Sequence, residues 1–231
     1  MELTATQQKS VERFQAIIRK KTISDKNGNI DREVFDSFLP MLKEIYPEVF
    51  NVVEAQLINE YGILIHWKGK TSENPIMLMS HIDVVAPGPN WTHDPFGGDI
   101  EGGKVWGRGT SDTKCTVMAF LQAAEELLKE GYTPDCDVYI ASSCTEEIGG
   151  DGAPKIVDYL DKQGVGIIQD PMAGIKGNFA MVGVFEKGYG DVKFIARSNG
   201  GHASAPPKNT PIARLSKFVA DVDKKNPFNV E

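Results

Sequence analysis

The sequence has few cysteines and no long apolar run, and each shortage excludes a class of protein. Its three cysteines, Cys115, Cys136 and Cys144, are odd in number and widely spaced, so we expect reduced thiols in a cytoplasmic protein. No stretch approaches the roughly 18 apolar residues that span a bilayer. Residues 1–21 are too polar for a signal peptide. The net charge of −7 argues against nucleic-acid binding, which requires a basic patch.

The rest of the composition is that of an ordinary soluble globular protein. Apolar residues make up 41% of the chain and charged residues 25%. Apolar residues that recur about every 3.6 positions predict helices, and short apolar or alternating runs predict strands. Helices are predicted at 4–21, from Asp31 with a break near Pro40, and at 112–130, 152–163 and 210–224. Strands are predicted at 51–57, 61–68, 76–79, 137–142 and 165–168.

The order of these elements predicts the fold class. Strands that alternate with helices are typical of an α/β domain, here with a mixed, largely parallel sheet that has helices on both faces. Residues 76–79 are apolar on both faces, which favours a central strand. We expect a boundary near Gly183, between a large domain at 1–183 and the beginning of a smaller α+β domain at 184–231, which opens with a predicted hairpin.

Polar residues follow several of the predicted strands. His81, the pair Glu146 and Glu147, and Asp170 each come directly after a strand, and Asp112 opens the next helix. Ligands of α/β sheets bind beyond the carboxyl ends of the strands. We therefore expect these residues to meet at one edge of the sheet.

An imidazole and several carboxylates in one place form a ligand set for divalent ions. His81 can bind a metal through one ring nitrogen while Asp83, two residues later, holds the other N–H. Asp112, Glu147 and Asp170 offer carboxylates, and one carboxylate can be shared between two ions about 3.5–4 Å apart. The pattern indicates a hydrolytic metal site.

The acidic pair can divide two tasks between its members. Because adjacent side chains point apart, Glu147 can ligate a metal while Glu146 stays free as a general base. Each candidate also has a simpler interpretation. His81 can be a loop histidine, Asp112 a helix cap, the acidic pair an exposed loop, and Asp170 the start of a turn.

The glycine-rich turn before Asp112 has a different interpretation, nucleotide binding. Gly107 and Gly109 match the first two glycines of a dinucleotide-binding loop, but Asp112 occupies the third glycine position. A carboxylate at that helix N-terminus would repel a pyrophosphate. This alternative predicts indifference to chelators.

Five motifs, in order, carry a resemblance to a known family. They are S-H-I-D-V-V, W-T-H-D-P-F-G-G-D-I, G-R-G-T-S-D-T-K, T-E-E-I-G-G and G-G-H-A-S-A-P-P. The chain resembles the dizinc metallopeptidases that include acetylornithine deacetylase, succinyl-diaminopimelate desuccinylase, aminoacylase, glutamate carboxypeptidase and carboxypeptidase S. The resemblance implies a catalytic α/β domain, here 1–183, and a lid or dimerisation domain, of which 184–231 would be part.

The resemblance also implies a ligand set for two zinc ions, with cobalt or manganese as alternative ions. His81 and Asp170 would hold one ion, Glu147 would hold the second, and Asp112 would bridge both. The peptide bond between Asp112 and Thr113 would be cis.

The remaining roles implied by the resemblance concern the reaction. Glu146 would be the general base that takes a proton from the water bridging the ions, and Asp83 would orient His81. His202, in the lid, would reach the active site of a neighbouring subunit in a homodimer. The substrate would be a small peptide or an N-acyl amino acid, with neither nucleic acid nor membrane as a partner.

Two departures from the family pattern leave a second interpretation open. Family members are longer, and no histidine follows His202 to complete the second zinc site. Asp170 is followed by Pro171, where many relatives carry an acidic pair and others an acid followed by proline. The chain would then be the front part of such an enzyme. The alternative is a truncated, non-catalytic metal-binding or dimerisation fragment. Of the other histidines, we expect His66 to be structural and His93 to shape a loop.

Overall fold

The computed structural model of the protein describes residues 3–25, 30–58, 62–165, 193–198 and 208–225. Contacts divide the chain into two compact units, Met1–Phe179 and Ala180–Glu231. The described helices are α1 (Ala5–Arg19), α2 (Arg32–Asp36), α3 (Phe38–Ile45), α4 (Pro47–Phe50), α5 (Lys114–Lys129), α6 (Gly152–Lys162) and α7 (Pro211–Lys225). The described strands are β1 (Glu54–Ile58), β2 (Gly62–Trp67), β3 (Thr71–His81), β4 (Asp99–Glu101), β5 (Lys104–Trp106) and β6 (Cys136–Ser143).

The larger unit is built on a four-stranded sheet with the order β1-β2-β6-β3. Strands β1 and β2 form an antiparallel hairpin, and β2 pairs antiparallel with β6. Strand β3 pairs parallel with β6, so both strands end at the same edge of the sheet. The parallel pairing continues past β3, because the Ile82 N–H donates to the carbonyl oxygen of Ser143.

Each face of the sheet packs against helices, and alternate residues of one strand enter different cores. In β2, Ile63 and Ile65 belong to the core covered by α3, α4 and α5, whereas Leu64 belongs to a second core beneath α6. In β6, Ile140 and Tyr139 divide in the same way. This alternation follows from the two-residue period of a strand and fixes the register of the sheet.

Local signals explain where the main helices begin and end. Thr4 and Gln7 form a capping box at the start of α1. The Asp31 side chain accepts a hydrogen bond from the Val34 N–H and caps α2. The predicted break near Pro40 is at Ser37, between α2 and α3.

The smaller unit contributes residues 193–198 and helix α7 to the described part. The ring centroids of Phe194 and Phe218 lie 4.2 Å apart, and Arg214 donates a hydrogen bond to the Arg197 carbonyl oxygen at 2.5 Å. The predicted boundary near Gly183 and most of the predicted hairpin at 184–198 lie outside the described residues. Among the helices described in either unit, none has the length and apolar content needed to cross a membrane.

The prediction of a mixed α/β fold with helices on both faces is confirmed, with two corrections. One of the three pairings in the four-stranded sheet is parallel, so the described part of that sheet is less parallel than predicted. Residues 76–79 do not lie in a central strand of the described sheet, because β3 is last in the strand order. Ile76 and Met79 are each 44% exposed. The apolar residues on both faces of this strand are therefore not buried on both faces, as they would be in a central strand.

Candidate metal centre

His81 is the last residue of β3, and the parallel neighbour β6 ends beside it. Its side chain is 10% exposed. Nδ1 donates to the backbone carbonyl oxygen of Asp83 at 3.0 Å and lies 3.5 Å from the Asp83 carboxylate. Nε2 lies 3.0 Å from Oδ1 of Asp112 and 3.5 Å from Oε2 of Glu146. The ring is therefore held from one side and faces two carboxylates on the other.

Asp112 reaches His81 from the glycine-rich turn that precedes α5. Gly109 has φ +91, and a Cβ there would lie 2.9 Å from Cδ of Lys114, so the turn requires glycine at this position. Thr113, not Asp112, is at the N-cap position of α5, so the helix-cap interpretation of Asp112 is wrong. The Asp112–Thr113 peptide bond is cis, as the resemblance implied.

Glu146 and Glu147 follow β6 in a single 3₁₀ turn, Glu146–Ile148. Their backbone N–H groups donate to the two carboxylate oxygens of Asp83, at 3.1 and 3.0 Å. Asp83 is completely buried. One buried carboxylate therefore connects the loop after β3 to the loop after β6.

The structure brings three of the four predicted ligands together. One potential ligand atom each from His81, Asp112 and Glu147 lies within 4.8 Å of the others. An imidazole nitrogen with two carboxylate oxygens fits a divalent ion such as zinc. The fourth predicted ligand, Asp170, and the predicted lid residue His202 lie outside the described residues.

The carboxylates of the centre crowd negative charge around Glu147 and His81. Burial raises the pKa of Glu147, and the negative charges of Asp112, Glu146 and Asp83 raise it further, although His81 opposes them. Burial lowers the pKa of His81, but hydrogen bonding to Asp83 and the charges of Asp83 and Glu146 outweigh burial and raise it to about 9. A divalent ion would neutralise the crowded carboxylates and displace the imidazole proton.

Lys114 is a buried lysine near the site that was not singled out from the sequence. Its side chain is fully buried at the start of α5, and Nζ donates to the carbonyl oxygen of Lys20. Burial lowers the pKa of Lys114 to about 7, against the attraction of Asp83. The motif G-R-G-T-S-D-T-K includes this lysine, but the pattern alone does not show that it is buried near Asp83.

The other two described histidines lie outside this group. His66 stacks on Tyr139, with ring centroids 4.5 Å apart, and its Nε2 lies 3.0 Å from Asp137. His93 stacks on Trp106 of the β4–β5 hairpin. This hairpin was not predicted from the sequence. These contacts agree with the expectations of a structural His66 and a loop-shaping His93.

A cleft of about 630 Å³ adjoins the metal centre at Glu147. Ile23, Val85 and Ile148 supply apolar surface to its walls, and Lys21 supplies a cation. The cleft leaves room for a group larger than water directly beside a candidate metal ligand.

The chain matches one family model and many known relatives, including the following two. The model of the peptidase family M20/M25/M40 matches residues 77–219, more than half of the chain. The probable carboxypeptidase S-like 2 of Dictyostelium discoideum is 36% identical over 84% of this chain and 40% of its own length. The N-fatty-acyl-amino acid synthase/hydrolase PM20D1.1 of Danio rerio is 33% identical over 96% of this chain and 46% of its own.

Solved structures share the fold at low sequence identity. Human carnosine dipeptidase 1 superposes with a TM-score of 0.55 at 14% identity, over 71% of this chain and 36% of that one. The M20 family metallo-carboxypeptidase Sso-CP2 of Sulfolobus solfataricus gives 0.55 at 23% identity, over the same shares. The chain spans less than half the length of these relatives and structures.

Proposed function

Because the chain belongs to the peptidase family M20/M25/M40, we propose that it carries the metal centre of a zinc-dependent hydrolase that cleaves an amide bond in a peptide or an N-acyl amino acid. The observation that carries this proposal is the convergence of His81, Asp112 and Glu147 within 4.8 Å at the carboxyl edge of β3 and β6. Relatives named as carboxypeptidases and as an N-fatty-acyl-amino acid synthase/hydrolase support the substrate class.

His81, Asp112 and Glu147 would hold the metal, with Asp112 shared between two ions and Asp170 completing the set. When bound, zinc supplies an electrophile for the substrate carbonyl and lowers the pKa of water from 15.7 to roughly 7. Cobalt and manganese are alternative ions for this site, because both accept the same imidazole and carboxylate ligands.

Glu146 would move the proton in this reaction. Its Oε2 lies 3.5 Å from Nε2 of His81, and its side chain is 46% exposed, so it borders the centre and still reaches solvent. It would accept a proton from the attacking water and donate it to the leaving nitrogen, as a general base and then a general acid. Asp83 would orient His81 and hold the backbone of both glutamates.

The cleft beside Glu147 would accept one of the two groups joined by the scissile amide. Its apolar wall of Ile23, Val85 and Ile148 suits an aliphatic acyl chain or side chain. Lys21 would supply the cation for a substrate carboxylate in this cleft, which the acidic residues Asp25 and Asp31 also line. In the proposed homodimer, His202 would reach the centre of the partner subunit.

Neighbouring glutamates provide the test of this function. Glu146→Gln should retain zinc but slow hydrolysis of an N-acyl amino acid or dipeptide by about 10²-fold or more, since a general base contributes that much. Glu147→Gln should instead weaken zinc binding, because it removes a proposed ligand. Zinc content after dialysis and hydrolysis rate are measured on both variants.

The exposed Glu44 in α3 offers a matched control, and Glu44→Gln should change neither zinc content nor rate. Full activity in Glu146→Gln would contradict the assignment of the base. Zinc binding without hydrolysis in the unaltered chain would support the alternative, a metal-binding module without turnover. Absence of zinc binding would contradict both.

A further inference from the structure

The segment Thr22–Ser24 runs parallel to the chain that leaves β3. Ile23 forms a parallel bridge with Val84, the Ser24 N–H donates to the Val84 carbonyl oxygen, and the Val84 N–H donates to the Thr22 carbonyl oxygen. The hydroxyl of Thr22 donates to the Ile82 carbonyl oxygen at 2.5 Å. This segment, which we name the N-terminal strap, therefore fixes the backbone on both sides of Asp83.

The strap also contacts the Asp83 side chain directly. Oγ of Ser24 donates to Oδ2 of Asp83 at 2.7 Å, and the same oxygen accepts the Glu147 N–H at 3.0 Å. Ser24 is 4% exposed and Asp83 is 0% exposed, so this contact is buried. The hydroxyl is a charge-assisted donor to a buried carboxylate, which is among the stronger classes of hydrogen bond.

We propose that Ser24 is a positioning residue of the metal centre, acting through Asp83. The proposal rests on the proposed function, because it assumes that His81 and Glu147 ligate a metal. Ser24 holds the Asp83 carboxylate in the orientation that receives the Glu146 and Glu147 N–H groups and faces Nδ1 of His81. Hydrogen-bond partners behind metal ligands commonly change metal affinity 10- to 100-fold.

This role falls outside the part of the chain matched by the family model, which begins at residue 77. Ser24 is 59 positions from Asp83 in sequence, and its hydroxyl reaches the carboxylate only because the strap lies beside β3. The metal centre therefore includes a contribution from the N-terminal segment.

The test compares zinc affinity and the visible absorption of bound Co²⁺ in variants of the full chain. Ser24→Ala should weaken zinc binding about tenfold or more and alter the Co²⁺ spectrum, because Asp83 loses its hydroxyl donor. Ser24→Thr and Ser24→Val form a second pair of nearly equal size, of which Thr should retain affinity and Val should lose it. Comparing the zinc affinities of these two variants tests the role of the hydroxyl even if Ser24→Ala folds poorly.

Thr22→Val is the matched control, because it removes a buried hydroxyl from the same strap without touching Asp83. It should lower thermal stability and weaken zinc binding less than Ser24→Ala does, because the Asp83 carboxylate keeps its hydroxyl donor. Equal zinc affinity and equal Co²⁺ spectra in the unaltered chain and Ser24→Ala would overturn the role of Ser24. So would an equal loss of affinity in Thr22→Val. A chain that binds neither ion would instead contradict the proposed function.

Discussion

His81 has carboxylate groups beside both ring nitrogens, and they determine the proton that it carries. Nδ1 faces Asp83, and Nε2 faces Asp112 and Glu146. With its pKa raised to about 9, against burial, the metal-free imidazole is protonated at pH 7. A metal ligand must be the neutral imidazole, so zinc has to displace this proton.

Zinc affinity should therefore rise with pH up to the pKa of the metal-free His81, about 9. One displaced proton predicts about a tenfold gain per pH unit below pH 9, since each pH unit then shifts the competition by a factor of ten. Competition with a chromophoric chelator at pH 6.5, 7.5 and 8.5 measures this dependence. A zinc affinity that does not change across this range would contradict the protonated His81.

Asp83→Asn serves as the control for that prediction. It removes the carboxylate that raises the His81 pKa, so the affinity should level off at a lower pH, nearer the ordinary histidine value of about 6.5. Residue-scale contacts of this kind were only partly predictable. His81, Asp83 and the acidic pair stand out because they follow strands, whereas the contacts of Ser24 and Lys114 join segments that are distant in sequence.

Helices α1 and α5 are joined by a buried ion pair. Nη2 of Arg13 lies 2.6 Å from Oε1 of Glu125, and these side chains are 4% and 1% exposed. The guanidinium of Arg13 also lies over the Tyr46 ring, 4.1 Å from its centroid. Hydrogen bonding to Arg13 lowers the pKa of Glu125 to about 2, against burial, and Lys129 lowers it further.

Glu125→Gln should destabilise the protein by about 3 kcal/mol at pH 7, because removing one charge of a buried ion pair leaves the buried Arg13 without its partner. Because the folded-state pKa lies below the unfolded value, this stability is present above the unfolded value of 4.5 and is lost as the pH falls towards 2. Urea unfolding of both proteins at pH 7, 5 and 3.5 measures the difference, which should narrow at the lowest pH.

The exposed Glu126, on the same helix, provides the comparison. Glu126→Gln should change the free energy of unfolding by less than about 0.5 kcal/mol, as surface substitutions usually do. If Glu125→Gln were equally harmless at pH 7, the buried pair would not contribute to stability.

Helices with strong periodicity were predictable, whereas the full extent of β3 and the β4–β5 hairpin were not. The apolar positions of α5, including Val117 and Leu121, recur at helical spacing and are buried as expected. Strand β3 starts earlier than predicted, because Thr71 pairs with Cys136 across a register shift that apolar patterning does not indicate. The β4–β5 hairpin was missed, although Gly102 and Gly103 between short alternating runs are a hairpin signal.

At the scale of the whole molecule, the metal should act as a stabilising ligand. The candidate ligands come from the ends of β3 and β6 and the turn before α5, so one ion would connect three separate parts of the larger unit. A free zinc concentration 100 times the Kd stabilises the folded state by about 2.7 kcal/mol. For a chain of this size, that should raise Tm by roughly 5–10 °C.

Thermal unfolding with zinc and with a chelator measures this effect. Glu147→Gln provides the control, since it lacks a proposed ligand and should show a smaller zinc-dependent shift at the same ion concentration. A Tm that zinc leaves unchanged in the unaltered chain would contradict a metal centre. A dinucleotide that raises Tm when zinc does not would support the nucleotide-binding alternative.

The parallel contact between Thr22–Ser24 and Ile82–Val84 also affects how shortened versions of this protein should be designed. An expression clone trimmed to the family-matched region at 77–219 would retain His81, Asp112 and Glu147. It would omit the serine that holds Asp83 and the arginine that pairs with Glu125. Such a clone would keep every proposed ligand in its reading frame and still lose part of the framework that orients them.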